Sequence, residues 1–139
     1  MKRILSLTLC LLMLTACLLG CAAKAPIGLW ANATYTEDTT LGEGAKTVEV
    51  EVKAEETAVT FTIKTDAAML GDALLAHKLV AGEESEFGLY IKEVNGIKAD
   101  YDTDGAYWAF YQNGEYAMAG VDTTPIAGGE HYELVYTKG

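Results

Sequence analysis

Beyond residue 21 the chain has no cysteine; Cys10, Cys17 and Cys21 all crowd into the amino-terminal segment. Disulfides, thiolate metal centres and cysteine nucleophiles are therefore excluded together from everything downstream. Histidine is nearly as scarce, with only His77 and His131, and Ser85 is the single serine after residue 21. A serine–histidine pair has almost no material to work with, and Gly42-x-Gly44 lacks the length and the lysine of a phosphate loop. No catalytic residue is assigned, and the chain is read as a binding protein, not an enzyme. Basic side chains are few. Without Lys2 and Arg3 the balance is 8 basic against 20 acidic residues, spread along the chain with no acidic tail. Such a surface opposes nucleic acid and anionic lipid headgroups.

What is present begins with Lys2-Arg3, an apolar run from Ile4 to Leu14, and small residues before two cysteines. The run is shorter than the about 20 apolar residues of a membrane span and has the layout of an export signal. Leu14-Thr15-Ala16-Cys17 and Leu18-Leu19-Gly20-Cys21 both read as lipobox sequences. The expectation is a signal peptide over 1–16 or 1–20, lipid on Cys17 or Cys21, and a domain held by acyl chains outside the bacterial cell membrane.

The 139 residues allow one domain. Residues 22–45 carry Pro26, Thr36 to Thr40, Gly42 and Gly44 and read as a tether. Ile27, Leu29, Trp30, Ala33 and Tyr35 are large groups to leave in water, so partial order is the alternative. From residue 46 to 139 the pattern is regular. Valines alternate with glutamates over Thr47–Val52, and Val59–Ile63 repeats the alternation across a turn at Glu55-Glu56-Thr57, which predicts an antiparallel hairpin. A helix is expected from Ala68 to Val80, with Leu70, Leu74, Leu75 and Leu79 as its apolar stripe, Asp72, His77 and Lys78 towards solvent, Asp66 as cap and Gly82 as stop. Strands follow at Leu89–Val94, Tyr107–Gln112, Glu115–Met118 and Glu130–Thr137. Asn95-Gly96 and Asn113-Gly114 read as type I′ hairpin turns, and Thr124–Gly129 as a corner. The fold class is α+β: a small β-grasp-like mixed sheet with one packed helix.

From Thr65 to Lys138 the chain resembles the C-terminal domain of transcobalamin and intrinsic factor, and more closely that domain's exported bacterial relatives of unassigned function. The matching pieces are Ala73-Leu74-Leu75, Leu89 to Ile97, Tyr107-Trp108-Ala109-Phe110-Tyr111-Gln112-Asn113-Gly114, and Val121 through Tyr136. The resemblance implies that such a domain closes over cobalamin held against a large helical domain. That helical domain is absent here, so half of any such site would have to come from a partner, a second copy, or nowhere.

Along the tryptophan strand, Trp108 and Phe110 face one side, towards the helix leucines, while Tyr107 and Tyr111 face the other. Tyr101, Tyr107, Tyr111 and Tyr116 are the candidate ligand-binding residues, suited to a planar apolar ligand or to a partner protein. The chain's alternative reading is a cell-surface interaction or adaptor module without a small-molecule ligand, the partner being a surface or transport protein. Asp100-x-Asp102-x-Asp104-Gly105 begins as a calcium loop does, but Tyr111 stands where a bidentate glutamate is needed. Calcium there is a weak candidate, and an ordinary acidic turn is the plainer reading.

Overall fold

The computed structural model describes residues 26–139. The expected signal peptide, its expected cleavage point and both candidate lipidation cysteines lie outside the described residues. Among the described residues no helix is long and apolar enough to cross a membrane.

The elements are a 3-10 turn (Gly28–Asn32), β1 (Thr39–Leu41), β2 (Lys46–Ala54), β3 (Thr57–Thr65), α1 (Leu70–Ala76), β4 (Val80–Ser85), β5 (Gly88–Val94), β6 (Ile97–Lys98), a one-turn α2 (Tyr101–Asp104), β7 (Ala106–Gln112), β8 (Glu115–Tyr116), a second 3-10 turn (Val121–Thr123) and β9 (His131–Lys138). The fold is α+β, with a mixed six-stranded sheet in the order β1-β3-β2-β9-β7-β8 and a separate antiparallel sheet β4-β5-β6. The single sheet expected from the sequence is thus two.

Alternation decides which face of the large sheet is dry. Val48, Val50 and Val52 stand opposite Ile63, Phe61 and Val59 on β3, and Val50 and Val52 stand beside Tyr132 and Leu134 on β9. All of these are buried. β7 adds Trp108 and Phe110, which pack on Tyr136 and Tyr132 respectively. Leu70, Ala73 and Leu74 of α1, with Val80, Val94 and Ile97 of the small sheet, complete one hydrophobic cluster over this face. Trp108 and Phe110 are core residues, as their alternation predicts.

The helix is shorter than expected. Lys78 takes a positive φ of 55°, and the amides of Lys78 and Leu79 donate to the carbonyls of Leu75 and Leu74, the paired bonds of a Schellman stop. Leu79 is buried through this C-terminal wrap, whereas Leu75 is 45% exposed and lies off the apolar stripe. Gly82 does not end the helix; it sits in β4 where the register with β5 shifts between Ala81 and Gly82. A Cβ there would fall 1.9 Å from the Tyr90 carbonyl oxygen, so only glycine fits this bulge. Asp66 does not cap α1 either. Its carboxylate accepts from the Ala45 amide, and the helix start is held from outside by Leu70 N–H donating to Thr124 O and Ile126 N–H donating to Ala68 O.

Of the two readings of residues 22–45, order holds from Gly28 to Leu41. Trp30 is 4% exposed and its indole N–H donates to Ala54 O at 2.9 Å. β1 pairs in parallel with β3. Tyr35 is gripped by the buried Asn95, whose side chain accepts from Tyr35 N–H and donates to Tyr35 O while its peptide oxygen accepts from Thr34 N–H. Asn95-Gly96 and Asn113-Gly114 carry positive φ at both residues, as type I′ turns require. At the corner, burial would raise the Glu130 carboxyl, but amide donation from Ala127 and Gly128 outweighs it and leaves the group below its ordinary value.

Trp30→Ala should cost about 3–5 kcal/mol, the usual loss for a large buried aromatic, and a denaturant melt should remain a single transition. A variant as stable as the parent would mean that residues 28–41 are a tether after all.

Candidate functional site

The wet face of the large sheet is chemically uneven. Because β2 and β9 run parallel in register, Glu49 stands beside His131 and Glu51 beside Glu133. Four polar side chains therefore form a square on two adjacent strands. The His131 ring lies between carboxylates, with Nδ1 3.2 Å from Glu49 Oε2 and Nε2 3.3 Å from Glu51 Oε2. Lys53 pairs with Oε1 of Glu133 and more distantly with Oε1 of Glu51 at 3.8 Å. The hydrogen bond to Glu133 is the main reason the ammonium is held above its ordinary value, against a smaller opposing effect of burial and with further support from the Glu51 charge. One ligand atom each from Glu51, His131 and Glu133 lie within 4.8 Å of one another, the one such grouping among the described residues.

On the other side of β9, Tyr111 stands opposite Glu133 and Tyr116 opposite Tyr111. The two rings meet edge to face at 5.5 Å. Tyr116 is 60% exposed and Tyr111 half-buried, so the pair presents apolar surface with its hydroxyls free of any described partner. Tyr107 shares the face four residues earlier on β7, about 13 Å along the strand. Tyr101 is elsewhere: it lies on α2 against Gly139, at the opposite end of β7 from the tyrosine pair. The structure thus joins Tyr111 and Tyr116, keeps Tyr107 on their face and separates Tyr101 from them.

The acidic turn folds in on itself. Asp100 accepts from the Asp102 amide and Asp104 accepts from the Asp100 amide, so two of the three carboxylates cap their own one-turn helix. Among the described residues, Asp100, Asp102 and Asp104 are not part of the one grouping whose ligand atoms lie within 4.8 Å of one another. The groove beside β4, β5 and β6, about 290 Å³ in volume, is lined by Gly82, Glu83, Lys92, Lys98 and Asp100 and contains none of the four tyrosines.

Sequence reasoning missed the square of Glu49, Glu51, His131 and Glu133. Each half is visible as wet-face alternation, but only the parallel pairing of strands some 80 residues apart brings them together.

Residues 67–138 match the family described as Domain of unknown function (DUF4430). The chain belongs to this family. A crystal structure of a protein from Ruminococcus gnavus, provisionally named as metal binding, superposes with a TM-score of 0.65 at 34% identity, over 68% of this chain and 99% of that one. Haptocorrin in complex with cobinamide (Cbi) superposes with a TM-score of 0.51 at 22% identity, over 67% of this chain and 25% of haptocorrin. The likeness to the C-terminal domain of the cobalamin carriers therefore holds, as a likeness of fold, and this chain corresponds to about a quarter of such a carrier. No curated protein matches.

Tyr116→Ala should lower stability by no more than the about 0.5–1.5 kcal/mol of an aromatic pair, whereas Trp108→Ala should cost about 3–5 kcal/mol. Thermal melts of the two variants compare them directly; a Tyr116 loss as large as that of Trp108 would make the tyrosine pair part of the core.

Proposed function

We propose that the protein is a lipid-anchored, extracytoplasmic ligand-binding domain whose ligand lies on the Tyr111–Tyr116 face of the large sheet and is a corrinoid. The observation that carries this reading is the exposed edge-to-face aromatic pair, with its hydroxyls free of described partners, on a fold shared with haptocorrin. The names of both structural neighbours support a ligand-binding role, one with a corrinoid and the other provisionally with a metal. Its chemistry is binding, not catalysis. We also read the order β3-β2-β9-β7, with its parallel pair in the middle, as a β-grasp-like kernel.

Anchoring has a geometric consequence. From Cys21 or Cys17 to Gly28 the chain reaches at most about 25 or 40 Å. Gly28 lies against Glu55 at the β2–β3 turn, and Glu49 and His131 sit towards the other end of the sheet. The tether therefore joins the folded domain at the end of the sheet that carries the β2–β3 turn. Intact mass of the cell-derived protein should show cleavage before Cys17 or Cys21 and added acyl chains; an unmodified amino terminus retaining Met1 would overturn anchoring.

Phe87, 88% exposed, and Met118, 97% exposed, favour the second reading, an interaction module with a surface protein as its partner. Visible titration separates the two. With about 100 µM protein, a range that reaches affinities of about −5 to −6 kcal/mol, cobinamide absorption should shift and saturate, and Tyr111→Ala should weaken the shift without unfolding the domain. A flat difference spectrum removes the corrinoid and leaves the interaction module.

A further inference from the structure

We propose that Glu51, His131 and Glu133 bind one divalent first-row transition ion, zinc being the test ion, with Glu49 as the residue that orients the imidazole. The inference rests on these four side chains and is independent of the corrinoid reading.

The histidine decides the chemistry. A neutral imidazole has one N–H and one lone pair. With the proton on Nδ1, that N–H donates to Glu49 Oε2 at 3.2 Å, and the Nε2 lone pair then points at Glu51 Oε2 at 3.3 Å. In that tautomer the nitrogen lone pair and the carboxylate oxygen converge on the space between them, where a cation can accept from both. Carboxylate, histidine and metal in line is the arrangement by which a second carboxylate fixes the tautomer of a metal-binding histidine.

Spacing agrees. Zinc bonds to histidine nitrogen and carboxylate oxygen at about 2.0–2.2 Å, so two such ligands at a near-tetrahedral angle stand about 3.3 Å apart. Nε2 and Glu51 Oε2 are at that distance already, and a Glu133 oxygen needs only a small side-chain rotation from within 4.8 Å. One imidazole with two carboxylates is a donor set for a borderline ion; calcium and magnesium call for oxygen ligands throughout. The strands provide the rigidity, since all four residues project from adjacent paired positions of β2 and β9. Half-exposure of His131 leaves open positions for water or for a ligand atom.

Lys53 supplies the internal control. Its ammonium is bonded to Oε1 of Glu133 and lies near Oε1 of Glu51, which leaves Glu51 Oε2 to face the ring. The lysine thus competes with the ion for the same two carboxylates. Its removal should tighten binding, an effect that a merely structural ion pair would not produce.

Calorimetric titration of the full chain with zinc chloride in the absence of corrinoid should show one saturable site, and Co²⁺ in place of zinc should give visible ligand-field bands. His131→Ala and Glu51→Gln should each abolish the site, Glu49→Gln should weaken it by about 10–100-fold, and Lys53→Ala should strengthen it. His77→Ala and Tyr116→Ala should leave it unchanged, which separates it from adventitious zinc and from the tyrosine face. Circular dichroism melts confirm that each variant is folded. Absence of saturable binding, or binding indifferent to His131→Ala and Glu51→Gln, overturns the site. That outcome leaves the cobinamide titration unaffected.

Discussion

Everything in this molecule hangs on the parallel pairing of β2 with β9. It joins the first hairpin to the last strand in the middle of one sheet. Its register decides both faces at once: Val50 beside Tyr132 and Val52 beside Leu134 within, Glu49 beside His131 and Glu51 beside Glu133 without. A slip of one residue would place glutamates in the core, and this forbids the alternative far more strongly than the slanted hydrogen bonds of a parallel pair could. The buried valines thus fix the geometry of the polar square. Packing energy on one side positions chemistry on the other.

The pairing also explains why the outer face tolerates an unfavourable arrangement. Glu51 directly opposite Glu133 is a like-charge cross-strand pair, in a chain already carrying net charge −10. Lys53 relieves part of this, and its partners hold the ammonium above its usual range. Glu49 and Glu51 then confront both nitrogens of one ring. A sheet selected for stability alone would place threonine or lysine at one of these positions, as it does on β3 with Thr60 and Thr62 opposite Glu51 and Glu49.

Local pattern showed the sheet hairpin β2–β3, both Asn-Gly turns, the corner at Thr124–Gly129 and the burial of Trp108 and Phe110, because each is decided within a few residues by alternation or by positive φ. Where tertiary contacts decide, the pattern was silent. The apolar pattern carries α1 four residues past its end at Ala76, since Leu79 is as apolar as a helix stripe requires but is buried by the Schellman wrap at Lys78. β4 is not legible in the pattern because five of its six residues are exposed and show no dry face. Asp66 has the chemistry of a cap, yet Ala45 claims its carboxylate. The candidate site divides in the same way. The tyrosines follow from alternation along β7, whereas the histidine–carboxylate square needs a register between strands far apart in sequence.

The segment before β2 shows how such non-local information is stored. Residues 28–41 have too little periodicity to form a structure of their own, and each of their fastenings is received by a distant element: Trp30 by Ala54, Tyr35 by Asn95, β1 by β3. Asn95 is the economical part of this design. Its positive φ makes the β5–β6 turn, and its amide, buried because the turn folds inward, meets both backbone groups of Tyr35. One residue chosen for a local turn thereby ties the small sheet to the segment that closes the large one. The amino-terminal segment is therefore bound to both sheets, and a pull on it is resisted first by the buried indole of Trp30 and then by the Asn95 clasp.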